Sequence, residues 1–148
     1  MYCYRGVGLD NVYLQNGYTT RTLSSGEEAV SIHDLEGLHA AIARELVEMS
    51  GEMDGKIFRF LRKYADMAQR AVAELMDVTV LTVSNWERDV HPVPTAAALL
   101  LRGLVKEILS GNAELKKAVD RCNQLDRKMR ELERLQFADT EHGWQRAA

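Results

Sequence analysis

Two histidines lie beside residues that could support acid–base chemistry. His33 is followed by Asp34 and His91 by Pro92, so a proton-transfer role for either imidazole has to be considered. The sequence holds no nucleophile motif, phosphate-binding loop or metal-ligand spacing to accompany them. We therefore expect that the protein is not an enzyme and that these histidines are surface or capping residues.

Metal binding is the next possibility, because Cys3, His33 and His39 are potential ligands near the amino terminus. A fourth ligand is not evident, and the two cysteines, Cys3 and Cys122, lie far apart without forming a CxxC pair. We therefore expect no metal, no disulfide and no cofactor. The cysteine content fits a reducing cytoplasm.

Hydrogen-bonding chemistry without catalysis is available in the stretch AQRAVAELMDVTVLTVSNWERD, residues 68–89. Two short helical patterns meet at Asp77, with no room between them for a strand or a long loop. Helices that cross so closely need a small residue at the crossing, here Ala73, and an aliphatic residue that points back inward, here Val83. An aspartate enters the left-handed region with little strain, so Asp77 suits the turn.

The second helix of this pair is predicted to have two different faces. Val78 and Trp86 lie on the same side as Val83 and should anchor the helix to a core. The opposite, outward side carries an aliphatic, a hydroxyl, an amide and a guanidinium group, at Leu81, Ser84, Asn85 and Arg88.

The segment RKYADMAQRAVAELMDVTVLTVSNWERD resembles the helix-turn-helix of the phage-repressor (XRE) family. The family pattern runs from Gln over four residues to Ala, then a turn, then Ser/Thr-x-x-Thr-Val-Ser-x-Trp-Glu. The resemblance covers residues 54–108 and departs from the family at Asp77, where Gly is usual. It implies a bundle of about five helices, with the second helix of the motif in the DNA major groove and the first across the backbone.

The resemblance also assigns base reading to three positions of the second helix. The residues that match Val80, Leu81 and Asn85 reach base edges in the family. Asn85 can bond adenine through two hydrogen bonds, whereas Val80 and Leu81 offer only apolar contact, for instance to thymine methyl groups. In the alternative interpretation, Val80 and Leu81 pack against neighbouring loops. Thr79 is placed to cap this helix, whose amino-terminal end suits a phosphate.

Further positions are expected to hold the DNA backbone or the fold. Gln69 resembles the family's glutamine, which bonds phosphate and braces the reading helix. Arg62 and Glu87 match positions where a bridging Arg and Glu tie the first helix of the bundle to the reading helix. The candidates for phosphate contact are Lys63, Arg70, Thr82, Ser84 and Arg88.

The chain before the motif changes from a β pattern to a helical one. Residues 11–32 carry two turn signals, around Gly17 and Gly26, between runs of β-branched and aromatic residues. They predict a small β-hairpin or a three-strand meander. From Asp34, a predicted N-cap, apolar residues recur at helical spacing as far as Met49.

Three further helical patterns follow or surround the motif. Asp54 is the predicted N-cap of the helix that precedes it. Residues 95–109 predict a very apolar helix, mostly buried and closed by Gly111. Residues 112–136 have a seven-residue rhythm, which fits either a two-stranded coiled coil or a single amphipathic helix packed on its own domain. The rhythm consists of Leu115, Ala118, Cys122, Leu125, Met129, Leu132 and Gln136.

These patterns predict a mainly α fold with four parts. Residues 1–50 form a β segment plus a helix, for dimerisation or partner binding, and residues 54–110 form a five-helix XRE-type helix-turn-helix bundle. A long helix at 112–136 follows, and residues 137–148, which show no periodicity, are expected to be a frayed tail.

Charge is distributed unevenly along a chain whose formal net charge is only −3. Residues 27–54 hold eight acidic side chains against one arginine, and residues 56–70 hold five basic side chains against one aspartate. Residues 71–92 are again acidic, with four carboxylates against Arg88. We therefore expect weak nonspecific binding to DNA and the need for a dimer.

Together, these observations predict a cytoplasmic, homodimeric regulator, most simply a repressor, that binds double-stranded DNA at an inverted repeat. No run of 18 apolar residues exists, so no membrane association is expected. The β segment ahead of the motif also resembles, more loosely, MqsA-type antitoxins, although their zinc-binding CxxC pairs are missing. That resemblance implies the alternative of an antitoxin, which would bind a protein toxin and repress its own operon.

Overall fold

The computed structural model describes residues 1–125 and 136–147. They form six helices and three two-stranded antiparallel sheets, so the protein is a mixed α and β chain in which helices predominate. The strands are β1 (Tyr2–Cys3), β2 (Tyr13–Leu14), β3 (Tyr18–Thr22), β4 (Glu28–Ile32), β5 (Phe137–Thr140) and β6 (Gly143–Arg146). The helices are α1 (Leu35–Glu48), α2 (Gly55–Tyr64), α3 (Gln69–Leu75), α4 (Val80–Glu87), α5 (Thr95–Leu109) and α6 (Ala113–Leu125).

The amino-terminal β region contains one hairpin and one separate strand pair. β3 and β4 pair antiparallel across the turn that contains Gly26, whose φ of 85° needs a glycine. β1 pairs with β2, and β2 does not pair with β3 although Gly17 makes the predicted turn between them. The predicted hairpin is therefore confirmed, and the predicted three-strand meander does not form.

Side-chain caps begin α1 and α2 where the sequence predicts them. The Asp34 carboxylate accepts a hydrogen bond from the Gly37 backbone N–H at 3.2 Å, and the Asp54 carboxylate accepts one from the Ile57 N–H at 2.8 Å. Each bond satisfies an amide that has no partner within the helix.

The core lies where α2, α3, α4 and α5 meet, with α1 packed against α2 and α5. The Phe58 ring meets the Trp86 indole edge to face, with ring centroids 5.7 Å apart. Burial of such large apolar side chains is the main force that holds short helices together, since isolated helices of this length are marginal in water. The largest fully buried side chains are Phe58, Leu61, Val72, Val83, Leu101 and Val105.

α5 differs from the prediction that it would be mostly buried. Ala98, Leu101 and Val105 face the core, but Leu99 is 60% exposed and Leu100 45% exposed. The reason is geometric: a helix on the surface of a bundle turns only one stripe inward, even when its other face is also apolar. The helix ends, as predicted, at a left-handed Gly111 with φ of 84°.

α6 begins at the expected position and packs back onto its own domain. Val119 is buried, and α6 contacts both α3 and α5, whereas Ala118 of the predicted seven-residue rhythm is exposed. This part of the helix therefore follows the second interpretation, a single amphipathic helix packed on its own domain. The predicted continuation at 126–135, with the side chains of residues 122–135, lies outside the residues described. Gln136, the last residue of the predicted helix, is not helical, and its carbonyl accepts a hydrogen bond from the Ala147 N–H at 2.8 Å.

The expectation of a frayed tail after residue 136 is wrong. β5 and β6 form a hairpin in which the Thr140 hydroxyl donates a hydrogen bond to the Gly143 carbonyl at 2.8 Å and accepts one from the His142 N–H at 3.2 Å. Gly143 has φ of 93°. Strands of four residues are too short to show a clear alternation, which explains why the sequence pattern did not reveal them.

None of the described helices is both long enough and apolar enough to span the hydrocarbon layer of a lipid bilayer.

Candidate nucleic-acid interface

The centre of the candidate site is the close pair formed by α3 and α4, joined by residues 76–79. Asp77 adopts the left-handed conformation at φ of 54°, as the sequence predicts. The Val78 N–H donates a hydrogen bond to the Ala73 carbonyl at 2.9 Å, which closes the turn. Ala73 is 2% exposed, so its small side chain lies at the buried crossing of the two helices.

The amino-terminal end of α4 is capped by Thr79, again as predicted. Its hydroxyl accepts a hydrogen bond from the Thr82 N–H at 3.1 Å and lies 2.8 Å from the Thr82 hydroxyl. Both side chains lie at the first turn, where the helix dipole and free amides favour an anion. The first turn of α4 therefore has the chemistry of a phosphate contact.

The two faces of α4 are as different as the sequence predicts. Val83 is fully buried and Trp86 is 6% exposed, so these residues hold the helix from behind. On the other face Leu81 is 65% exposed and Val80 is 38% exposed. In the alternative interpretation, Val80 and Leu81 pack against neighbouring loops. Within the described part of the chain, Leu81 does not do so.

Asn85 lies on the outward face in a fixed position. The Arg88 guanidinium donates a hydrogen bond to its side-chain oxygen at 2.7 Å, and the Val90 N–H donates one to its backbone carbonyl at 2.9 Å. Within residues 1–125 and 136–147 the amide nitrogen and the second lone pair of the side-chain oxygen have no other partner and could bond a ligand. Asn85 and Arg88 thus form one polar unit beside Ser84, which is half-buried.

A buried ion pair braces α4 from α2. The Arg62 guanidinium donates to both carboxylate oxygens of Glu87, at 2.7 and 2.9 Å, and to the Met67 carbonyl at 2.9 Å. The Gln69 amide donates to the same carboxylate at 3.2 Å. The predicted bridge between Arg62 and Glu87 is therefore present, and so is the predicted bracing by Gln69.

A second brace, which the sequence interpretation missed, joins the ends of α2 and α4. The Asp89 carboxylate accepts a hydrogen bond from the Gly55 N–H at 2.8 Å, while Asp89 itself is left-handed with φ of 57°. A Cβ atom on Gly55 would lie 2.3 Å from the Trp86 carbonyl oxygen and 2.5 Å from that of Glu87. Gly55 directly after an N-cap was the available clue, because glycine at a helix start often marks a close approach of backbones.

The predicted basic residues fall into two places. Arg70 is exposed in the first turn of α3, next to Gln69. Lys63 instead lines a groove between α2 and the amino-terminal loop, a groove that none of the outward residues of α4 borders. α4 itself carries no basic side chain, and Arg88 follows it directly at the C-cap, so the outward face of the helix carries little positive charge.

The amino-terminal residues considered for metal binding have other environments. The Tyr4 hydroxyl lies 2.9 Å from His39 Nε2, and His33 is exposed. Within residues 1–125 and 136–147 no three side chains of His, Cys, Asp or Glu converge.

The fold and the site together define a small, mainly helical protein that presents one short, doubly braced helix to solvent. Comparison of the chain with protein families, with curated proteins and with solved structures finds no match in any of the three. The function proposed below is therefore argued from the geometry of the site and from the resemblance of residues 54–108.

Proposed function

We propose that this protein is a sequence-specific DNA-binding regulator that works as a homodimer in the cytoplasm and represses a small operon. In this proposal the α2–α5 region is a helix-turn-helix bundle of the phage-repressor type. α4 enters the major groove of double-stranded DNA and α3 crosses the backbone. The protein performs no catalysis and requires no cofactor.

The observation that carries the proposal is the exposure of the outward face of α4. A helix can read bases only when one face is free to enter a groove and the other is held firmly. Leu81 on that face is 65% exposed, whereas Val83 behind it is fully buried. The Arg62–Glu87 pair fixes the carboxyl end of the same helix.

The side chains of this face match the chemistry of base and phosphate contacts. Asn85 would donate to and accept from one adenine edge, and Val80 and Leu81 would contact thymine methyl groups. The hydroxyl and basic groups around them would bind phosphates, which fixes orientation without reading sequence. In our proposal these contacts come from Gln69, Arg70, Thr79, Thr82, Ser84 and Arg88.

The small positive charge of one copy is the reason to propose a dimer. Each neutralised phosphate adds salt-dependent affinity, and one copy offers few cations on this face. Two copies that bind successive major grooves would double these contacts at half-sites about 10 base pairs apart or a multiple of that. The exposed side chains of Leu99 and Leu100 on α5 form the apolar surface at which we place self-association.

Footprinting on the DNA that flanks the protein's own gene tests the proposal. We expect protection of two symmetric half-sites on the same face of the duplex, at protein concentrations that leave unrelated DNA unprotected. The matched control is Arg44→Ala, which removes an exposed arginine of α1 without touching the α3–α4 pair. Uniform or absent protection across the flanking DNA would remove the regulator proposal.

An antitoxin is the second candidate, favoured by the β3–β4 hairpin. Four of the five residues of β3 are exposed, and an open strand edge can pair with an extended segment of another protein. Coexpression with the product of the neighbouring reading frame tests this idea. Relief of growth arrest by the intact chain, and not by a chain that lacks residues 18–32, would support the antitoxin, whereas a neighbour with no effect on growth excludes it.

A further inference from the structure

A second candidate site lies away from α4, in a groove of about 540 Å³ between α2 and the loop of residues 6–8. This volume is in the range of small-molecule sites. Its side chains combine cations with aromatic rings, a mixture suited to a ligand that is both charged and planar. The groove is lined by His39, Lys56, Arg59, Phe60, Lys63 and Tyr64, and Glu87 borders it.

The cations of the groove lie on one face of α2. Lys56, Arg59 and Lys63 are spaced by three and four residues, which brings them to the same side of a helix. The Lys56 ammonium group donates a hydrogen bond to the Asp10 carboxylate. This bond and the positive charge of Lys56 hold the pKa of Asp10 below its usual range. Within the described ranges Arg59 and Lys63 form no ion pair, so their charge is available to an anion.

The stability of the fold does not explain this arrangement. Like charges four residues apart on a helix, such as Arg59 and Lys63, repel each other and lower helix stability. Both side chains are exposed and contribute nothing to the core. Glu87, the one acid that borders the groove, already has Arg62 and Gln69 as partners, so it does not neutralise these two cations.

The aromatic floor of the groove is fixed by ring contacts. Phe60 and Tyr64 stack with centroids 6.2 Å apart and planes at 25°, and the edge of His39 meets Phe60 at 6.4 Å. The Tyr4 hydroxyl holds the His39 ring through a hydrogen bond, and burial raises the pKa of Tyr4, which keeps this hydroxyl protonated. Phe60 itself is 5% exposed, so the rings that the floor presents to a ligand are those of the half-buried His39 and Tyr64, with Phe60 supporting them from behind.

The loop that forms the other wall is also held in place. Tyr4 and Leu9 on either side of it are buried, which anchors both of its ends. Gly8 has φ of 78°, which favours glycine, and a Cβ on Gly6 would lie 2.7 Å from the Tyr4 ring, so a side chain at Gly6 would have to displace that ring. A groove with fixed walls and floor is preorganised for a ligand.

We propose that this groove binds a nucleoside phosphate: the phosphates contact Arg59 and Lys63, and the base lies against the rings of the floor. Guanidinium and ammonium groups are the usual partners of phosphate in proteins, and aromatic rings are the usual partners of a base. The proposal is independent of DNA binding by α4, because it requires none of the outward residues of that helix.

Isothermal titration calorimetry of the full chain without DNA tests the proposal, with ADP, GDP and inorganic pyrophosphate as probes. We expect at least one nucleotide to bind more tightly than pyrophosphate, because pyrophosphate has the charges but not the base. The Arg59→Ala/Lys63→Ala double variant should weaken this binding by about tenfold or more, since two charge-assisted contacts are lost. Arg21→Ala/Arg44→Ala, the control, removes two exposed arginines that do not line the groove and should leave nucleotide affinity unchanged.

Three results would overturn the assignment. The first is the absence of binding by both nucleotides, with titrations at two temperatures to detect binding of small enthalpy, and the second is pyrophosphate binding as tightly as the tighter of the two nucleotides. The third is a control variant that loses as much affinity as the groove variant. Operator affinity is measured separately. If the groove variant loses operator affinity while nucleotides do not bind, Arg59 and Lys63 contact DNA. The nucleotide proposal then fails while the DNA-binding proposal stands.

Discussion

Arg62 and Glu87 are 25 residues apart in the chain and form a bidentate ion pair that is almost completely buried, with side chains 9% and 4% exposed. The pair joins α2 to the carboxyl end of α4 and also receives Gln69, at the start of α3. One carboxylate therefore connects three helices. The orientation of the outward face of α4 depends on it.

Removing one member of this pair should destabilise the protein strongly. Glu87→Ala leaves the Arg62 guanidinium buried without its carboxylate, and we expect a loss of about 3–5 kcal/mol of unfolding free energy. Urea denaturation followed by circular dichroism measures it. The Arg62→Met/Glu87→Leu double variant should lose much less than the sum of the single variants, because no unpaired charge is left. Additive losses would show that the two residues do not act as a pair.

Gly55 should not tolerate even one added methyl group. Gly55→Ala places a Cβ 2.3 Å from the Trp86 carbonyl oxygen, so the ends of α2 and α4 must separate, at a cost of about 1–3 kcal/mol. Gly103→Ala is the matched control, since a Cβ there meets nothing within 4 Å and alanine is the better helix former by about 0.5–1 kcal/mol. Thermal unfolding should move the two variants in opposite directions. A shift of the same sign in both would contradict the close approach at Gly55.

The turn at Asp77 stores a small amount of backbone strain that glycine would release. Asp77→Gly should stabilise the protein by about 0.5–1 kcal/mol, and Asp77→Val should destabilise it by about 1–2 kcal/mol, because a β-branched residue fits the left-handed region poorly. Asp120→Gly, within α6, is the control and should destabilise the protein by roughly 0.3 kcal/mol, since aspartate is itself a poor helix former. Chemical denaturation of the three variants distinguishes these effects. Equal destabilisation by glycine at both positions would rule out strain at Asp77.

Asn85 should affect sequence recognition and not general affinity for DNA. Asn85→Ala should lose about 1–3 kcal/mol of binding free energy for the operator, while affinity for unrelated DNA stays nearly constant. Fluorescence anisotropy with both DNAs at one salt concentration measures the difference. If Asn85→Ala loses the same affinity for both DNAs, Asn85 does not read bases. If the Arg44→Ala control loses as much operator affinity as Asn85→Ala, the loss does not reflect a specific contact of Asn85.

The exposed apolar face of α5 should determine self-association. Leu100→Glu introduces a charge on a side chain that is already 45% exposed, so the monomer should fold normally while the dimer dissociates. Sedimentation equilibrium of the variant should give the monomer mass of 16.7 kDa at concentrations where the parent chain is dimeric. Leu75 on α3 is also 45% exposed, so Leu75→Glu is the control, and this variant should stay dimeric. Dimers that persist in Leu100→Glu would place the contact elsewhere.

Much of the local structure could be predicted because it depends on residues within one helical turn. The caps at Asp34, Asp54 and Thr79 each bond an amide three residues ahead, so the sequence contains both partners side by side. The turn at Asp77 and the buried position of Val83 follow from the same short spacing. The carboxyl-terminal hairpin was missed, since its two strands have only four residues each.

The sequence by itself determined the order of the helices, their caps and which side of α4 turns inward, because these depend on backbone preferences and on periodicity. Only the tertiary structure decided that Asp89 meets Gly55, that Leu99 and Leu100 of an apolar helix face solvent, and that Lys63 borders a groove whose other wall is the loop of residues 6–8. Each of these outcomes depends on how different elements lie against one another. That arrangement is set by how whole helices pack around a shared core, which no short window of sequence contains.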